Sequence, residues 1–142
     1  HERLEMVRLA ISGNDFFEAS SIEIDRDDAS YTLYTLNQLK VIYPDDEFYL
    51  IIGSDSFNEL DTWKSFTEIL KSTHIVVIHR PGDLELRRDL IEIASNVTAV
   101  ENQEINISST EIRERVKLGK SIKYLVPDQV MDYINFKGLY RN

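Results

Sequence analysis

Cysteine is absent from this 142-residue sequence. The absence excludes a disulfide framework, a thiolate nucleophile and a thiolate metal site, and it favours a reducing, cytoplasmic setting. Long apolar runs are also absent. No segment approaches the roughly 18 consecutive apolar residues of a membrane span, and no signal-peptide pattern opens the chain. The sequence therefore predicts no membrane partner.

Positive charge is scarce relative to negative charge. The chain has 16 Lys and Arg against 25 Asp and Glu, which gives a formal net charge of −9 and a pI of about 4.8. A polyanion meets a repulsive average field, so nucleic acid is not predicted as a partner. A small nucleotide is still compatible with this charge, because local donors and a metal ion can override the average.

The sequence also lacks a convincing metal-ligand pattern. His74 and His79 stand five residues apart, and the period of two along a strand places them on opposite faces. Residues 25–28 combine Arg26 with three acids, which is typical of a solvated loop. No protein metal site is predicted.

Length and composition predict one globular domain over residues 1–142. The chain is 42% hydrophobic and 29% charged, and a domain of this size buries roughly 68–70% of its unfolded surface. The first residue is His1, and helical periodicity begins at once with no residue suited to cap it. We therefore expect an N-terminally truncated domain.

Hydrophobic periodicity predicts an α/β fold. Residues 48–52 and 75–78 are unbroken apolar runs of strand length, as expected of strands buried on both faces of a parallel sheet. Short strands are predicted at 22–24 and 97–100. Helices are predicted at 2–11, 30–43 and 84–94, after residue 108 and from residue 127. The alternation predicts a mostly parallel sheet with helices on both faces.

Local signals predict where several elements begin and end. Gly13 and Asn14 can take the left-handed conformation that stops the first helix, and Gly119 stops a later one. Ser30 is a natural N-cap for the second helix. The segment Arg80-Pro81-Gly82 is expected to end the second apolar strand.

The best candidate phosphate site is residues 105–113, where an apolar segment leads into Ser108, Ser109 and Thr110 and then to Arg113. Hydroxyls at a helix start suit an anion, because backbone N–H groups there lack partners and the helix dipole favours negative charge. Arg113 follows Thr110 by about one turn and offers a bidentate fork. The alternative is a capping box of Ser108 and Glu111, which needs no ligand. The two interpretations are compatible.

Gly53 and Asp55 directly follow the first apolar strand. Ligands of open α/β sheets gather beyond the carboxyl ends of strands, and a glycine there lets a ligand approach the backbone. Asp55 can then accept hydrogen bonds from ribose hydroxyls. The alternative is an ordinary acid at a helix start.

Two further segments have both a structural and a functional interpretation. The helix start at Ser30-Tyr31-Thr32 can simply be capped, or its N–H groups can receive a carboxylate or phosphate. Trp63, the only tryptophan, can anchor the core or stack on a ligand.

Several segments together carry a family resemblance. In chain order they are His1-Glu2-Arg3-Leu4-Glu5-Met6, Ser30-Tyr31-Thr32-Leu33-Tyr34-Thr35-Leu36, Ile51-Ile52-Gly53-Ser54-Asp55, Trp63-Lys64, Arg80-Pro81-Gly82, Ile107 to Arg113, Tyr124-Leu125-Val126-Pro127 and Gly138-Leu139-Tyr140. Ser-Ser-Thr-x-x-Arg alone is typical of the nucleotidyltransferase superfamily. With Ser-Tyr-Thr, Gly-Ser-Asp and Trp-Lys, the sequence strongly resembles bacterial nicotinate-nucleotide adenylyltransferase from end to end.

The resemblance implies transfer of AMP from ATP to nicotinate mononucleotide, giving deamido-NAD and pyrophosphate. It implies that Ser109, Thr110 and Arg113 hold the ATP phosphates, with Arg113 as the catalytic residue that counters charge on the departing pyrophosphate. It also implies that Gly53 and Asp55 contact the adenosine ribose.

For the nicotinate mononucleotide, the resemblance implies a different set of residues. Backbone groups around Tyr31 and Thr32 meet the nicotinate carboxylate, Trp63 stacks on the ring, and the Lys64 backbone lies nearby. The family further implies Mg²⁺ bound with ATP and a Rossmann-like nucleotidyltransferase fold. A homo-oligomeric state is left open.

One family signature is missing. The pattern Gly-x-Phe-x-Pro-x-His-x-Gly-His does not occur in this sequence, so the chain resembles the C-terminal two-thirds of the enzyme and is expected to have little or no activity alone. Two enzyme alternatives stay open, an adenylyltransferase acting on nicotinamide mononucleotide or one acting on phosphopantetheine. A third alternative is a non-catalytic nucleotide-binding module.

Overall fold

The computed structural model describes residues 1–26, 30–79, 85–94, 96–101 and 107–141. The chain divides into two compact units, His1–Asp25 with Ile105–Asn142, and Arg26–Glu104. The single domain expected over residues 1–142 stays a prediction. No helix in the described ranges is both long and apolar enough to cross a membrane.

The unit Arg26–Glu104 contains a three-stranded parallel sheet, which confirms the predicted α/β class. Its strands are β1 (Tyr49–Gly53), β2 (His74–His79) and β3 (Val97–Glu101), hydrogen-bonded in the order β1-β2-β3. Each crossover between parallel strands carries helix, as parallel pairing requires. The helices of this unit are α2 (Thr32–Ile42), α3 (Ser54–Asn58), α4 (Phe66–Ser72) and α5 (Arg88–Ile93), with a 3-10 turn at Leu60–Thr62.

One face of this sheet carries the core. Ile75 and Val77 of β2 are fully buried, and Leu50 and Ile52 of β1 pack against the same cluster. Phe57 of α3 is the largest fully buried side chain. Burial of such side chains contributes roughly 1.5–3 kcal/mol each.

The opposite face corrects one expectation. Residues 48–52 do contain a strand, but it is not buried on both faces, because Tyr49 is 56% and Ile51 is 64% exposed. Tyr49 stacks on His74 of the neighbouring strand, with ring centroids 4.8 Å apart. The apolar run therefore predicted the strand correctly, but it did not predict that one face of this strand is exposed.

The other unit is helical in its described part. It contains α1 (Glu2–Ile11), α6 (Ser109–Lys117) and α7 (Asp128–Lys137), so the predicted first and last helices are confirmed. Its core consists of Ile112, Ile122, Val130 and Ile134. From α1, Met6 and Leu9 pack against this core, while Val7 is 48% exposed.

Two predictions about helix ends are wrong in detail. Helix α1 ends at Ile11, as predicted, but neither Gly13 nor Asn14 has a positive φ. The C-cap is Ser12, whose hydroxyl donates to the Gln129 side chain over 2.7 Å. The N-cap of α2 is Tyr31 and not Ser30, and no side chain caps that helix. By contrast, Gly119 has a φ of +66° directly after α6, as predicted.

Two predicted elements also differ in kind or length. Residues 22–24 form a turn and not a strand, because the Ile24 N–H donates to the Ser21 carbonyl and the Ser21 hydroxyl to Asp25. The helix predicted at 84–94 is shorter, since α5 begins only at Arg88, and Ile93 is 45% exposed. The segments predicted at 27–28, at Arg80-Pro81-Gly82, at Leu84 and at 105–106 lie outside the described residues.

Arg87 lies directly before α5 and forms ion pairs in the region where the first helical turn was predicted. Its guanidinium donates to Asp61 over 2.8 Å, to Asp89 over 2.6 Å and to the Asn58 carbonyl over 3.1 Å. Its backbone N–H donates to the Asn58 side chain over 3.0 Å. The Arg87 guanidinium hydrogen-bonds Asp89 and holds the pKa of that carboxyl below its ordinary value. Arg87 thus ties the segment after β1 to the start of α5.

Asp89→Asn is expected to lower the thermal midpoint at pH 7, because the neutral amide weakens the pair with Arg87. A carboxyl whose pKa is lowered on folding stabilises the protein above its unfolded pKa and loses that effect as pH falls through the folded pKa. The difference in midpoint between the variant and the parent should therefore shrink below about pH 4. Calorimetry from pH 7 to pH 2.5 tests this, with Glu92→Gln on the same helix as control; an equal difference at every pH contradicts it.

Candidate functional site

The residues implied for nicotinate mononucleotide lie together around one cavity. Tyr31, Thr32, Trp63 and Lys64 line a space of about 270 Å³ in the unit Arg26–Glu104, together with Ser30, Thr62 and Ile69. Local structure explains how distant sequence segments meet there. Tyr31 and Thr32 start α2, while Trp63 ends the 3-10 turn that precedes α4.

One end of the cavity is suited to an anion. Tyr31 is extended, with φ −108° and ψ 135°, and its carbonyl accepts the N–H groups of Tyr34 and Thr35. The first-turn N–H of Thr32 has no intrahelical acceptor, and no side chain caps the helix. The helix dipole adds partial positive charge at this end. A carboxylate can therefore be bound here by backbone donors.

The Lys64 side chain adds a full charge beside this helix start. Its ammonium lies 4.2 Å from the centroid of the Tyr31 ring and 4.9 Å from that of Tyr34, and it donates to the Tyr34 hydroxyl over 2.9 Å. Cation–π contact and the hydrogen bond hold the ammonium in place. Sequence reasoning assigned only the Lys64 backbone to this site, and it missed Tyr34, whose position one turn after Tyr31 was the available signal.

Aromatic rings form the wall of the cavity. Trp63 is half-buried and packs against the core of the unit, which confirms the packing interpretation; stacking on a ligand stays a prediction. Tyr31 is 38% exposed and meets Tyr34 edge to face, with centroids 5.6 Å apart. An indole beside a positively charged helix start is suited to a flat aromatic ring that bears a carboxylate.

Gly53 and Asp55 lie at the carboxyl end of β1, as predicted. Gly53 is the last residue of the strand and Asp55 lies in the first turn of α3. The Asp55 carboxylate accepts the Ser56 N–H over 2.8 Å and folds back over Gly53, where a Cβ atom would lie 2.5 Å from Asp55 Oδ1. The glycine is thus needed for the position of this carboxylate.

Ser109, Thr110 and Arg113 lie on the first turns of α6, in the other unit. The Ser108 hydroxyl accepts the Glu111 N–H over 3.1 Å, so the half of the predicted capping box that depends on Ser108 forms. The Glu111 carboxylate instead accepts from Arg115 over 2.8 Å. The N–H groups of Ser109 and Thr110 lack intrahelical acceptors, and capping leaves the start of α6 open to an anion.

Arg113 reaches the same end of α6, as its spacing predicts. Its guanidinium donates to the Thr110 hydroxyl over 3.1 Å. Within the described ranges, no carboxylate forms an ion pair with Arg113, whereas Arg115 on the same helix pairs with Glu111. The guanidinium is therefore able to bind phosphate oxygens.

The sequence and the fold are similar to those of known proteins. The family described as Cytidylyltransferase-like matches residues 1–115. The chain is 43% identical over 146 residues to a probable nicotinate-nucleotide adenylyltransferase of Desulfitobacterium hafniense (strain Y51), covering 99% of this chain and 70% of that protein. It is 44% identical over 143 residues to the protein of that name from Roseiflexus castenholzii, covering 98% and 71%.

Solved structures share the fold. The Plasmodium falciparum nicotinic acid mononucleotide adenylyltransferase complexed with APC has a TM-score of 0.78 at 19% identity, covering 99% of this chain and 75% of that chain. A putative nicotinate-nucleotide adenylyltransferase from Vibrio parahaemolyticus has a TM-score of 0.69 at 23% identity, covering 99% and 70%. The predicted Rossmann-like nucleotidyltransferase fold is confirmed. The chain belongs to the nicotinate-nucleotide adenylyltransferase family, and it spans about 70% of the length of the relatives it matches.

Proposed function

We propose that this chain takes part in an enzymatic reaction that transfers AMP from ATP to nicotinate mononucleotide, with deamido-NAD and pyrophosphate as products. The observation that carries the proposal is the cavity of Tyr31, Thr32, Trp63 and Lys64, which combines an aromatic wall with a positively charged helix start. This combination matches a pyridine ring that carries a carboxylate. It favours the acid over the amide, because a neutral carboxamide gains less from the dipole and the ammonium.

Recognition of the acceptor uses separate groups for ring and charge. The nicotinate carboxylate accepts from the N–H at Thr32 and lies near the Lys64 ammonium. The ring stacks on the Trp63 indole. Binding of this kind fixes the orientation of the acceptor, and positioning supplies much of the catalysis in such transfers.

The phosphates of ATP are assigned to the start of α6. Ser109 and Thr110 offer N–H and hydroxyl donors, and Arg113 offers a planar fork. A phosphate oxygen of the mononucleotide forms a new phosphoanhydride bond to the α-phosphorus of ATP as the bond between that phosphorus and the α–β bridging oxygen breaks, and negative charge moves onto the departing pyrophosphate. Arg113 stabilises that charge.

Mg²⁺ is proposed to arrive bound to ATP. In the part of the chain that the structure describes, no group of three or more His, Asp or Glu side chains could hold a metal ion. Mg²⁺ is commonly held by substrate phosphates and waters with few protein ligands. When bound, it neutralises part of the phosphate charge.

The predicted cytoplasmic setting and the oligomeric state stay predictions.

Asp55 is assigned to the adenosine ribose, and Gly53→Ala tests that assignment. The added Cβ would meet Asp55 Oδ1 at 2.5 Å, so the carboxylate must move away from the strand end. We expect KM for ATP to rise about fivefold, as for a weakened hydrogen bond to a charged group. Gly13→Ala is the matched control, because its Cβ meets no atom within 4 Å. Equal KM values in both variants contradict the assignment.

The decisive experiment measures pyrophosphate release from ATP with each acceptor in turn. It is run on this chain and on the product of its complete reading frame, with nicotinate mononucleotide, nicotinamide mononucleotide and phosphopantetheine. We expect turnover by the longer product with nicotinate mononucleotide. We expect little or none by this chain, since it lacks the Gly-x-Phe-x-Pro-x-His-x-Gly-His pattern. Saturable nucleotide binding without pyrophosphate release from either protein contradicts the proposed function.

A further inference from the structure

A second cavity lies at the far end of α6 from the proposed phosphate site. It has a volume of about 590 Å³, within the range of small-molecule sites. All of its lining residues belong to the unit that contains α6 and α7. They come from the end of α6, from the segment that follows it, from α7 and from the C-terminal end of the described chain.

Its charge is opposite to that of the chain as a whole. Lys117, Lys120 and Arg141 line the cavity, and none of the described residues that line it is acidic, although acids exceed bases 25 to 16 in the sequence. Among the described residues, none of these three cations forms an ion pair. Arg141 donates to the Asn135 side chain over 3.3 Å, a neutral acceptor. Within the described ranges, no ion pair therefore neutralises the positive charge of the cavity.

The dipoles of α6 and α7 do not explain why all three cations lie at this cavity. Lys117 lies in the last turn of α6 and complements its dipole. The carbonyls at that end are already bonded, because the N–H groups of Gly119 and Lys120 donate to Val116 and Arg115.

The end of α7 is closed in the same way. The N–H groups of Gly138 and Leu139 donate to the carbonyls of Asn135 and Ile134. Lys120 and Arg141 lie beyond these turns, in which backbone N–H groups already donate to the carbonyls of Arg115, Val116, Ile134 and Asn135.

The remaining lining resembles a small-molecule site. Ile122 is buried, and Val116 and Met131 are half-buried, so they provide apolar surface. Ser121 and Asn135 add polar groups that can orient a ligand. Apolar surface beside three cations suits a molecule with a phosphate group and a flat, less polar portion.

We infer that this cavity binds a nucleotide-sized phosphate ester carrying two or more negative charges, at a site separate from the start of α6. The inference does not depend on the proposed function. The cavity lies at the opposite end of α6 from Ser109, Thr110 and Arg113. Lys117, Lys120 and Arg141 bind the phosphate, and Val116 and Met131 contact the flat portion.

The test is an amide-resolved NMR titration of the product of the complete reading frame with AMP and, separately, with inorganic phosphate. Gly119 lines the cavity and reports on it, whereas the amides of Ser109 and Thr110 report on the start of α6. We expect saturable shifts at Gly119, Lys120 and Ser121 with AMP. Inorganic phosphate carries a similar charge but lacks the flat portion, so it should bind there more weakly. Binding should weaken as salt is added.

Variants separate the two sites. The triple variant Lys117→Gln, Lys120→Gln, Arg141→Gln should weaken AMP binding at Gly119 about tenfold or more, because charge-assisted bonds are lost. Arg113→Gln should leave the Gly119 response intact while reducing that of Ser109 and Thr110. Lys123→Gln, an exposed lysine outside the lining, controls for net charge. Shifts confined to Ser109 and Thr110, or a Gly119 response unaffected by the triple variant, overturn the inference.

Discussion

Replacing Arg113 by glutamine is expected to lower kcat for pyrophosphate release by about 10²–10³, with the fold unchanged. The side chain is exposed and its one hydrogen bond within the described residues is to the Thr110 hydroxyl, so little packing is lost. What is lost is a planar cation that we propose to lie where negative charge develops on the departing pyrophosphate. The effect should therefore fall on kcat more than on KM for nicotinate mononucleotide.

The control for this variant lies on the same helix. Arg115→Gln removes an equal charge two residues further along, but its guanidinium pairs with Glu111 over 2.8 Å. We expect kcat of that variant to stay within about threefold of the parent, as for an exposed pair of small energetic value. Arg113→Lys keeps the charge but loses the bidentate fork, so its kcat should lie between the two. Equal kcat values for Arg113→Gln and Arg115→Gln contradict the catalytic role of Arg113.

Trp63→Ala is expected to raise KM for nicotinate mononucleotide about 10–100-fold, because stacking on an aromatic side chain contributes roughly 1–3 kcal/mol per ring. KM for ATP should change much less, since Trp63 lines the cavity assigned to the other substrate. The indole also packs against the core, so the thermal midpoint of the variant should fall as well. Trp63→Phe should recover most of both properties.

Spectroscopy separates a stacking role from a packing role. Trp63 is the only tryptophan of this sequence, and its fluorescence should change saturably when nicotinate mononucleotide is added without ATP. The part of the signal that disappears in Trp63→Phe belongs to this residue. Tyr49→Ala, which removes an exposed aromatic ring elsewhere in the same unit, should leave KM unchanged. An unchanged KM in Trp63→Ala would restrict this residue to packing.

The strongest sequence predictions depended on local chemistry. The strand at 75–78 is apolar and β-branched throughout, and its β2 counterpart is buried at Ile75 and Val77. Ser108 caps α6 because a hydroxyl at that position can accept only from the N–H groups of the next turn. The family could be identified from motifs alone, since each motif needs particular residue types at a particular spacing.

The weaker predictions failed where hydrogen bonds between neighbouring residues compete. A run of three alternating residues at 22–24 has the strand period, but the Ser21 bonds close a turn there. Glu111 has the spacing of a capping box, but Arg115 competes for its carboxylate. In each case a hydrogen bond to another residue decided between two conformations of similar local propensity.

The sequence by itself determined the parallel α/β class, the family, and the residue types available for phosphate, ribose and pyridine carboxylate. Only the tertiary structure decided that Tyr31 and Trp63 share a cavity, that Ile51 is exposed, and that the Lys64 ammonium lies over Tyr31. It also gathered Lys117, Lys120 and Arg141 around a second cavity, which no local motif indicated. Periodicity and spacing predict which residues lie beside one another on the same helix or strand. Contacts between elements depend on how their apolar faces pack, and that is settled by the whole fold.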